Sequence, residues 1–140
     1  MPEQKAIRLY TDGACRGNPG IGGAGAVMFD DNGGVVATAK KFLGACTNNE
    51  AEYTALILGL EEVLSGGYKN IQVFLDSELL VRQINGIYRV KNDRLKTLMK
   101  EVKQHLSLFD GYTVKHVPRS ENAVADRLAN EAIDDELDMV

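Results

Sequence analysis

The chain has 140 residues, of which 44% are hydrophobic and 26% are charged, and its formal net charge is −4. These values are ordinary for a globular domain and exclude a globally disordered chain, while no apolar run approaches the ~20 residues of a membrane-spanning helix. We therefore expect one domain over residues 1–140, with loose ends at 1–5 and 135–140, and no membrane partner.

The alternation and spacing of apolar residues predict nine elements in chain order. Strands are predicted before the first helix, and helices and strands mix after it. The order indicates an α/β domain, with a mixed sheet and helices packed on its faces. The predicted elements are strands at 6–12, 21–30 and 35–43, a helix at 48–65, a strand at 70–76, a helix from Ser77 to about Gly86, a helix at 93–108, a strand at 112–117, and a final helix capped by Ser120 and reaching about residue 134.

The stretch GIGGAG, residues 20–25, matches the G-x-G-x-x-G pattern of dinucleotide-binding sites. Such a site needs a helix to begin there and an acid about 20 residues further on. Strand and turn residues follow instead, and residues 36–49 contain no acid. The dinucleotide interpretation is excluded, and we expect these glycines to shape a tight loop and the start of the second strand.

The cysteines and the N-terminal segment indicate a cytoplasmic protein. Cys15 and Cys46 have neither zinc-finger spacing nor a CxxC pattern, so we expect free thiols, although spacing alone leaves a disulfide open. The first ten residues lack the apolar stretch of a signal peptide.

A glutamate lies in line with the apolar stripe of the predicted 48–65 helix. At 100° per residue, Glu52 falls on the side of Leu56 and Leu60, whereas Glu50 falls on the opposite side and is expected to be an ordinary surface acid. A carboxylate drawn toward a core is costly unless a cation or a hydrogen-bond donor meets it. The alternative is a half-exposed first-turn acid favoured by the helix dipole, and the helix pattern alone leaves both interpretations open.

Three further acids occupy comparable places at the ends of predicted elements. Asp12 ends the first strand, Asp76 ends the fourth strand, and Asp126 lies on the apolar side of the last helix. Each alone is explained by a turn, a helix cap or a first-turn acid. Together with Glu52 they would repel one another unless cations hold them, and oxygen ligands without nearby histidine or cysteine favour Mg²⁺ or Mn²⁺ over zinc. Two such ions about 4 Å apart activate water and stabilise a leaving oxygen in phosphoryl chemistry.

Basic and acidic residues are segregated along the chain. The net charge of −4 disfavours binding to a polyanion. Residues 82–103 nevertheless contain seven basic residues against two acids, and residues 120–140 contain seven acids against one arginine. One face can therefore bind phosphate while another faces water, although two solvated helix faces explain the same pattern. The basic residues are Arg82, Arg89, Lys91, Arg94, Lys96, Lys100 and Lys103.

Four motifs, in order, resemble those of the type 1 ribonuclease H family. They are YTDGACRGNPG (10–20), TNNEAEYTAL (47–56), FLDSELLV (74–81) and HVPRSENAVADRLANEA (116–132), and the match runs over roughly residues 6–134. The resemblance implies the ribonuclease H-like fold, a five-stranded mixed sheet with an antiparallel second strand and flanking helices. It also implies that the metal-binding acids are Asp12, Glu52, Asp76 and Asp126, which accounts for the inward position of Glu52.

The same resemblance implies roles for residues around the acids. Asn18, Asn48 and Asn49 align with residues that contact the minor groove at the RNA strand, where 2′-hydroxyls distinguish RNA from DNA. Thr47 corresponds to a residue that binds a DNA-strand phosphate. Thr47 and Asn48 also suit a helix N-cap, and the two roles are compatible.

The chain departs from the family pattern in two places. Many members carry a histidine in the loop before the last helix that assists proton movement or product release, and Arg119 takes its place here. Arginine attracts phosphate but is a poor proton shuttle, and neither His105 nor His116 clearly replaces the histidine. Some members insert a tryptophan-bearing basic loop, whereas this chain has no tryptophan and only YRVKND at 88–93. The departures indicate the compact branch of the family and put tight hybrid binding in doubt.

The resemblance implies an endoribonuclease that hydrolyses the RNA strand of RNA–DNA hybrids and leaves 5′-phosphate and 3′-hydroxyl ends. The four acids would be catalytic by holding two Mg²⁺ ions per site, with Mn²⁺ as a substitute, and Arg119 would steer substrate or aid release. The alternatives are a binding module of the same fold, which the four acids disfavour, and a related 3′-exonuclease or junction resolvase, which the motifs at 10–20 and 47–52 disfavour. No obligate protein partner is implied, and we expect a monomer.

Overall fold

The computed structural model describes residues 6–139, and in that range it contains five strands and four α-helices. Their order agrees with the predicted order of elements. A short 3-10 turn at Arg119–Glu121 precedes the last helix. The elements are β1 (Ile7–Gly17), β2 (Gly20–Phe29), β3 (Val35–Cys46), α1 (Asn48–Ser65), β4 (Asn70–Leu75), α2 (Glu78–Ile84), α3 (Asp93–Leu106), β5 (Gly111–His116) and α4 (Ala123–Asp138).

The strands form one mixed sheet in the order β3-β2-β1-β4-β5. β2 is antiparallel to both of its neighbours, whereas β1, β4 and β5 are parallel, so the predicted mixed sheet with an antiparallel second strand is confirmed. β1 pairs with β4 only from Ile7 to Tyr10, but its pairing with β2 continues to Gly17. The part of β1 that carries Asp12 therefore lies beyond its pairing with β4.

Helices cover both faces of the sheet because successive strand residues point to opposite sides. Leu9 belongs to the larger core, which Leu56 and Leu60 of α1 complete from one face. Val27 packs beneath α4 on the other face. None of the helices in residues 6–139 is long and apolar enough to cross a membrane.

Two glycines of β2 allow the backbone of α4 to touch the sheet. A Cβ atom at Gly23 would lie 2.2 Å from the Ala129 carbonyl oxygen, and one at Gly25 would lie 2.3 Å from the Ala125 carbonyl oxygen. No side chain fits at either position. The expected start of the second strand at 20–25 is confirmed, but the expected tight loop there is wrong, since the whole stretch lies in β2. Two of its glycines instead make room for the backbone of α4.

Element boundaries correct several expectations. The 48–65 helix is confirmed at both ends. Asp12 does not end the first strand, because antiparallel pairing with β2 extends β1 to Gly17. The third strand likewise extends beyond residue 43 to Cys46, and the 93–108 helix ends at Leu106.

The start and end of the last helix also differ from the prediction. Ser120 lies in the 3-10 turn and does not cap α4, whose N-cap residue is Asn122. The helix continues to Asp138, so residues 135–138 are helical where a loose end was expected. The predicted loose end at 1–5, and residue 140, lie outside the described residues.

We expect Gly25→Ala to lower the free energy of unfolding by about 3 kcal/mol, because the new Cβ must push α4 away from β2. Urea unfolding measures the change. Gly67→Ala is the control, since alanine would be strained at the φ of 81° that Gly67 adopts but nothing lies within 4 Å of the added Cβ, and it should cost about 1 kcal/mol. Equal losses in the two variants would contradict the proposed packing role of Gly25.

Candidate active site

Three carboxylates converge where β1, α1 and β4 meet. Asp12 lies in β1, Glu52 lies in α1, and Asp76 follows the last residue of β4. Each offers one oxygen, and these oxygens lie within 4.8 Å of one another. Asp12 is 5% exposed, while Glu52 and Asp76 are half-buried. Clustered carboxylate oxygens are the ligands that Mg²⁺ and Mn²⁺ prefer, so the donor set fits a divalent cation.

Gly13 brings Asp12 and Glu52 together. A Cβ atom at this position would lie 2.2 Å from the carbonyl carbon of Ala51, so only glycine lets β1 touch the first turns of α1. The backbone of Gly13 also hydrogen-bonds to the Glu52 carboxylate. The approach of strand and helix thus sets the distance between the two acids.

Burial is the main influence on the protonation of Asp12 and Glu52. Burial, and then the charge of Glu52, raises the pKa of Asp12 from 3.8 to about 10. Burial also raises the pKa of Glu52 to about 7, against the opposing hydrogen bond with Asp12. Without a cation, the pair therefore retains a proton at neutral pH. A bound divalent cation would favour the ionised form of both groups and so offset the cost of ionising them in a buried place. The perturbed pair therefore also fits a cation site.

Asp126 and Arg119 line the same cleft as the three clustered acids, and the cleft has a volume of about 420 Å³. Asp126 projects from α4 and hydrogen-bonds to the Asp12 carboxyl group, although its oxygens are not among the three clustered ones. Arg119 is exposed in the 3-10 turn, and its positive charge lowers the pKa of Glu52. The structure thus brings together all five residues that sequence analysis assigned to catalysis.

The four predicted substrate-binding residues form one wall beside the acids. Asn48 and Asn49 line the acidic cleft and also a neighbouring cleft of about 470 Å³, which Asn18 and Thr47 line as well. The Asn48 N–H donates to Asn18 Oδ1 at 3.0 Å, and the Glu50 N–H donates to Thr47 Oγ1 at 3.2 Å. These oxygens are occupied within the protein, which leaves the Asn18 amide and the Thr47 hydroxyl with hydrogens to donate to a ligand.

Glu50 is not the ordinary surface acid that was expected. Its Oε1 accepts from the Thr47 N–H at 3.0 Å, which completes a capping box, and its Oε2 accepts from Arg94 Nε at 2.8 Å. The hydrogen bond from the Thr47 backbone, reinforced by that from Arg94, holds the pKa of Glu50 below its usual value. Arg94 and Asn92 also line the 470 Å³ cleft. Neither Arg94 nor Asn92 was predicted to belong to the site. Arg94 is 44 residues from Glu50 in the chain, and no local sequence pattern links the two.

Several basic residues of the segment 82–103 pair with nearby acids. Arg82 pairs with Glu78 at 2.7 Å, and Lys96 lies 3.7 Å from Asp93. Arg94, although it pairs with Glu50, is 73% exposed at the edge of the 470 Å³ cleft. Among the basic residues of this segment, Arg94 is the one that lines a cleft of the candidate site.

Cys15 and Cys46 are free thiols, as expected. Cys15 lines the acidic cleft, and its Sγ donates to the Cys46 carbonyl oxygen at 3.0 Å. Burial, and then Cys15, raises the pKa of Cys46 to about 11. Because the thiolate is the metal-binding form, Cys46 is a poor ligand at neutral pH.

Comparison with known protein families and sequences identifies relatives of the chain. The family model described as Reverse transcriptase-like matches residues 10–132. The chain is 40% identical over 129 residues to Ribonuclease HI of Halobacterium salinarum, which covers 92% of this chain, and 35% identical to Ribonuclease H of Coxiella burnetii, which covers 96%. It spans 65% of the Halobacterium relative's length, 94% of the Coxiella relative's length, and 35% of the length of three mycobacterial relatives matched at 42% identity.

Comparison with solved structures confirms the predicted α/β fold. The crystal structure of RNase H1 from Halobacterium salinarum superposes with a TM-score of 0.91 and 40% identity, covering 94% of this chain and 99% of that one. LC11-RNase H1, solved in complex with an RNA/DNA hybrid, superposes with a TM-score of 0.89 at 40% identity and the same coverage.

We expect the metal-free protein to lose thermal stability as pH rises. The folded-state pKa values of Asp12 and Glu52 lie above their usual values, so the folded state holds protons that the unfolded state has released. Their contribution to stability is complete below about pH 4 and is lost as pH rises through about 7 for Glu52 and about 10 for Asp12. Thermal unfolding in EDTA from about pH 5 to about pH 9 measures this decline.

Asp12→Asn removes the more perturbed of the two acids and should make that decline shallower. Asp110→Asn changes an exposed acid and is the matched control, which should follow the native protein. Saturating Mg²⁺ should raise the melting temperature of the native protein most at high pH. A decline equally steep in Asp12→Asn would show that the buried carboxyl pair is not its source.

Proposed function

The chain belongs to the type 1 ribonuclease H family, and on that basis we propose that it is an endoribonuclease that hydrolyses the RNA strand of RNA–DNA hybrids. The observation that carries the proposal is the cluster of Asp12, Glu52 and Asp76 beside a wall of hydrogen-bond donors. The likeness to LC11-RNase H1, solved in complex with an RNA/DNA hybrid, supports the substrate class. The cytoplasmic location and the monomeric state stay predictions.

We propose that the acidic cluster holds two Mg²⁺ ions, with Mn²⁺ as a substitute. Asp12, Glu52 and Asp76 would supply the shared carboxylate oxygens, and Asp126 would complete the site from α4. When bound, the ions supply an activated water and stabilise charge on the phosphoryl and leaving oxygens, which leaves 5′-phosphate and 3′-hydroxyl ends.

The wall between the two clefts would bind the hybrid. Asn18, Asn48 and Asn49 would donate to groups in the minor groove, including the 2′-hydroxyls of the RNA strand. Thr47, with its oxygen engaged by the helix cap, would donate its hydroxyl hydrogen to a phosphate of the DNA strand. Because Asn48 and Asn49 face both clefts, they would hold the RNA strand beside the acids while Thr47 engages its partner strand.

Arg119 would attract the phosphate backbone to the acidic cleft. An arginine side chain can neutralise phosphate but is a poor proton shuttle. Its exposed place at the cleft suits substrate steering or product release.

The direct test presents one end-labelled RNA oligomer single-stranded, paired with DNA and paired with RNA. Each form is incubated with Mg²⁺ and with EDTA. We expect internal cuts in the hybrid alone, abolished by EDTA. Asp76→Asn and Asp126→Asn should each lower the rate more than about a hundredfold, because each removes a carboxylate that faces the cation.

The outcomes separate this function from its alternatives. Hybrid binding without cleavage under any divalent metal would indicate a binding module, and shortening only from the 3′ end would indicate an exonuclease. Near-full activity in Asp126→Asn would contradict the assignment of the α4 carboxylate.

We expect Arg119→Ala to lower kcat/KM for the hybrid about tenfold, equivalent to about 1.4 kcal/mol of transition-state stabilisation. Arg119→Lys retains the charge and should recover most of this loss at low salt. Arg127→Ala is the control, since Arg127 is an exposed arginine of α4 that pairs with Glu131 and lies outside the clefts. A tenfold loss in both alanine variants would point to net charge in place of the position of Arg119.

A further inference from the structure

Asn122 is a buried polar residue between the elements that carry three of the acids. The residue is 1% exposed, and its Nδ2 donates to the Thr11 carbonyl at 2.9 Å and to Asp76 Oδ2 at 3.3 Å. Thr11 immediately precedes Asp12 in β1, and the Asn122 carbonyl accepts from the Asp126 N–H at 3.1 Å. One residue therefore joins β1, the end of β4 and the start of α4.

The side chain of Asn122 does not serve the helix that it begins. Asparagine is a favoured N-cap because its side-chain oxygen accepts a first-turn N–H, as Asn92 Oδ1 does from the Leu95 N–H at 3.1 Å. Asn122 occupies the N-cap of α4 and makes no such bond. Its Oδ1 has no hydrogen-bond partner among the described residues. Buried polar atoms are normally paired, so the orientation of this amide serves a contact other than helix capping.

That contact fixes an acid that regular structure does not hold. β4 ends at Leu75, whose partner His116 is the last paired residue of β5, so Asp76 lies beyond the paired part of the sheet. The Asn122 amide links its carboxylate to the backbone of β1, the strand that carries Asp12. Carboxylates that bind metals depend on such donors to keep their oxygens oriented.

We propose that Asn122 is a positioning residue for the divalent-cation site, which it assembles by tying the Asp76 carboxylate to β1. The inference rests on the proposed function only in requiring that Asp76 faces a cation. It adds to the acids a neutral residue that touches neither substrate nor reacting atoms and acts through Asp76.

The test measures cation binding without substrate. Metal-free protein is titrated calorimetrically with Mn²⁺, and Asn122→Ala should bind it about tenfold more weakly than the native chain. Asn85→Ala is the matched control, because Asn85 Nδ2 also donates to a strand carbonyl, that of Val114 at 3.2 Å, and does not line the acidic cleft. It should keep the native affinity. In an Asp76→Asn background, Asn122→Ala should have little further effect if it acts through Asp76.

A second measurement needs no folded variant. In the native protein, the Asn122 side-chain amide resonances should shift during a Mg²⁺ titration with the affinity of the site, while those of Asn85 stay in place. Native affinity in a folded Asn122→Ala, or an Asn122 amide unmoved by Mg²⁺, would overturn the inference and leave the proposed function intact. A native chain that binds neither ion would overturn both.

Discussion

The carboxyl groups of Asp12 and Glu52 are buried against each other, and this contact is the constraint on which the site depends. Burial raises the pKa of both acids, and the charge of Glu52 also opposes the ionisation of Asp12. The glycine at 13 and the packing of α1 hold the two together despite that repulsion. Folding thus buries carboxyl groups together without a cation to balance their negative charge. A divalent cation that binds them would also stabilise the native state.

Local periodicity placed two acids of the site on the inward sides of their helices, and the family resemblance then assigned them to a metal site. The apolar stripe of α1 placed Glu52 on the inward side of the helix, because helix geometry alone relates residues three and four positions apart. The placement of Asp126 on α4 followed from the same rule. The prediction that Glu50 is an ordinary surface acid was wrong because its partner Arg94 belongs to α3. The helical wheel of α1 carries no information about another helix.

Residues that join distant segments were not predicted either, because local patterns carry no information about contacts between such segments. Ser120 and Asn122 are both good N-cap residues, and only the fold decides between them. Asn122 reaches Thr11 across 111 residues, a contact that no spacing rule predicts. The glycines at 20–25 were correctly placed at the start of the second strand but were also expected to form a loop, because a glycine in a turn and a glycine beneath a helix look alike in a single sequence.

The two glycines beneath α4 also set the position of this helix along its own axis. Gly23 and Gly25 are two residues apart on a strand, a step of ~6.8 Å, while Ala129 and Ala125, whose carbonyls meet them, are four residues apart on a helix, a step of ~6 Å. The two repeats are nearly commensurate, so strand and helix mesh in one register. A slip of one residue would turn the helix by about 100° and carry Asp126 out of the cleft. Two positions of β2 that lack a side chain therefore set where the Asp126 carboxylate is aimed.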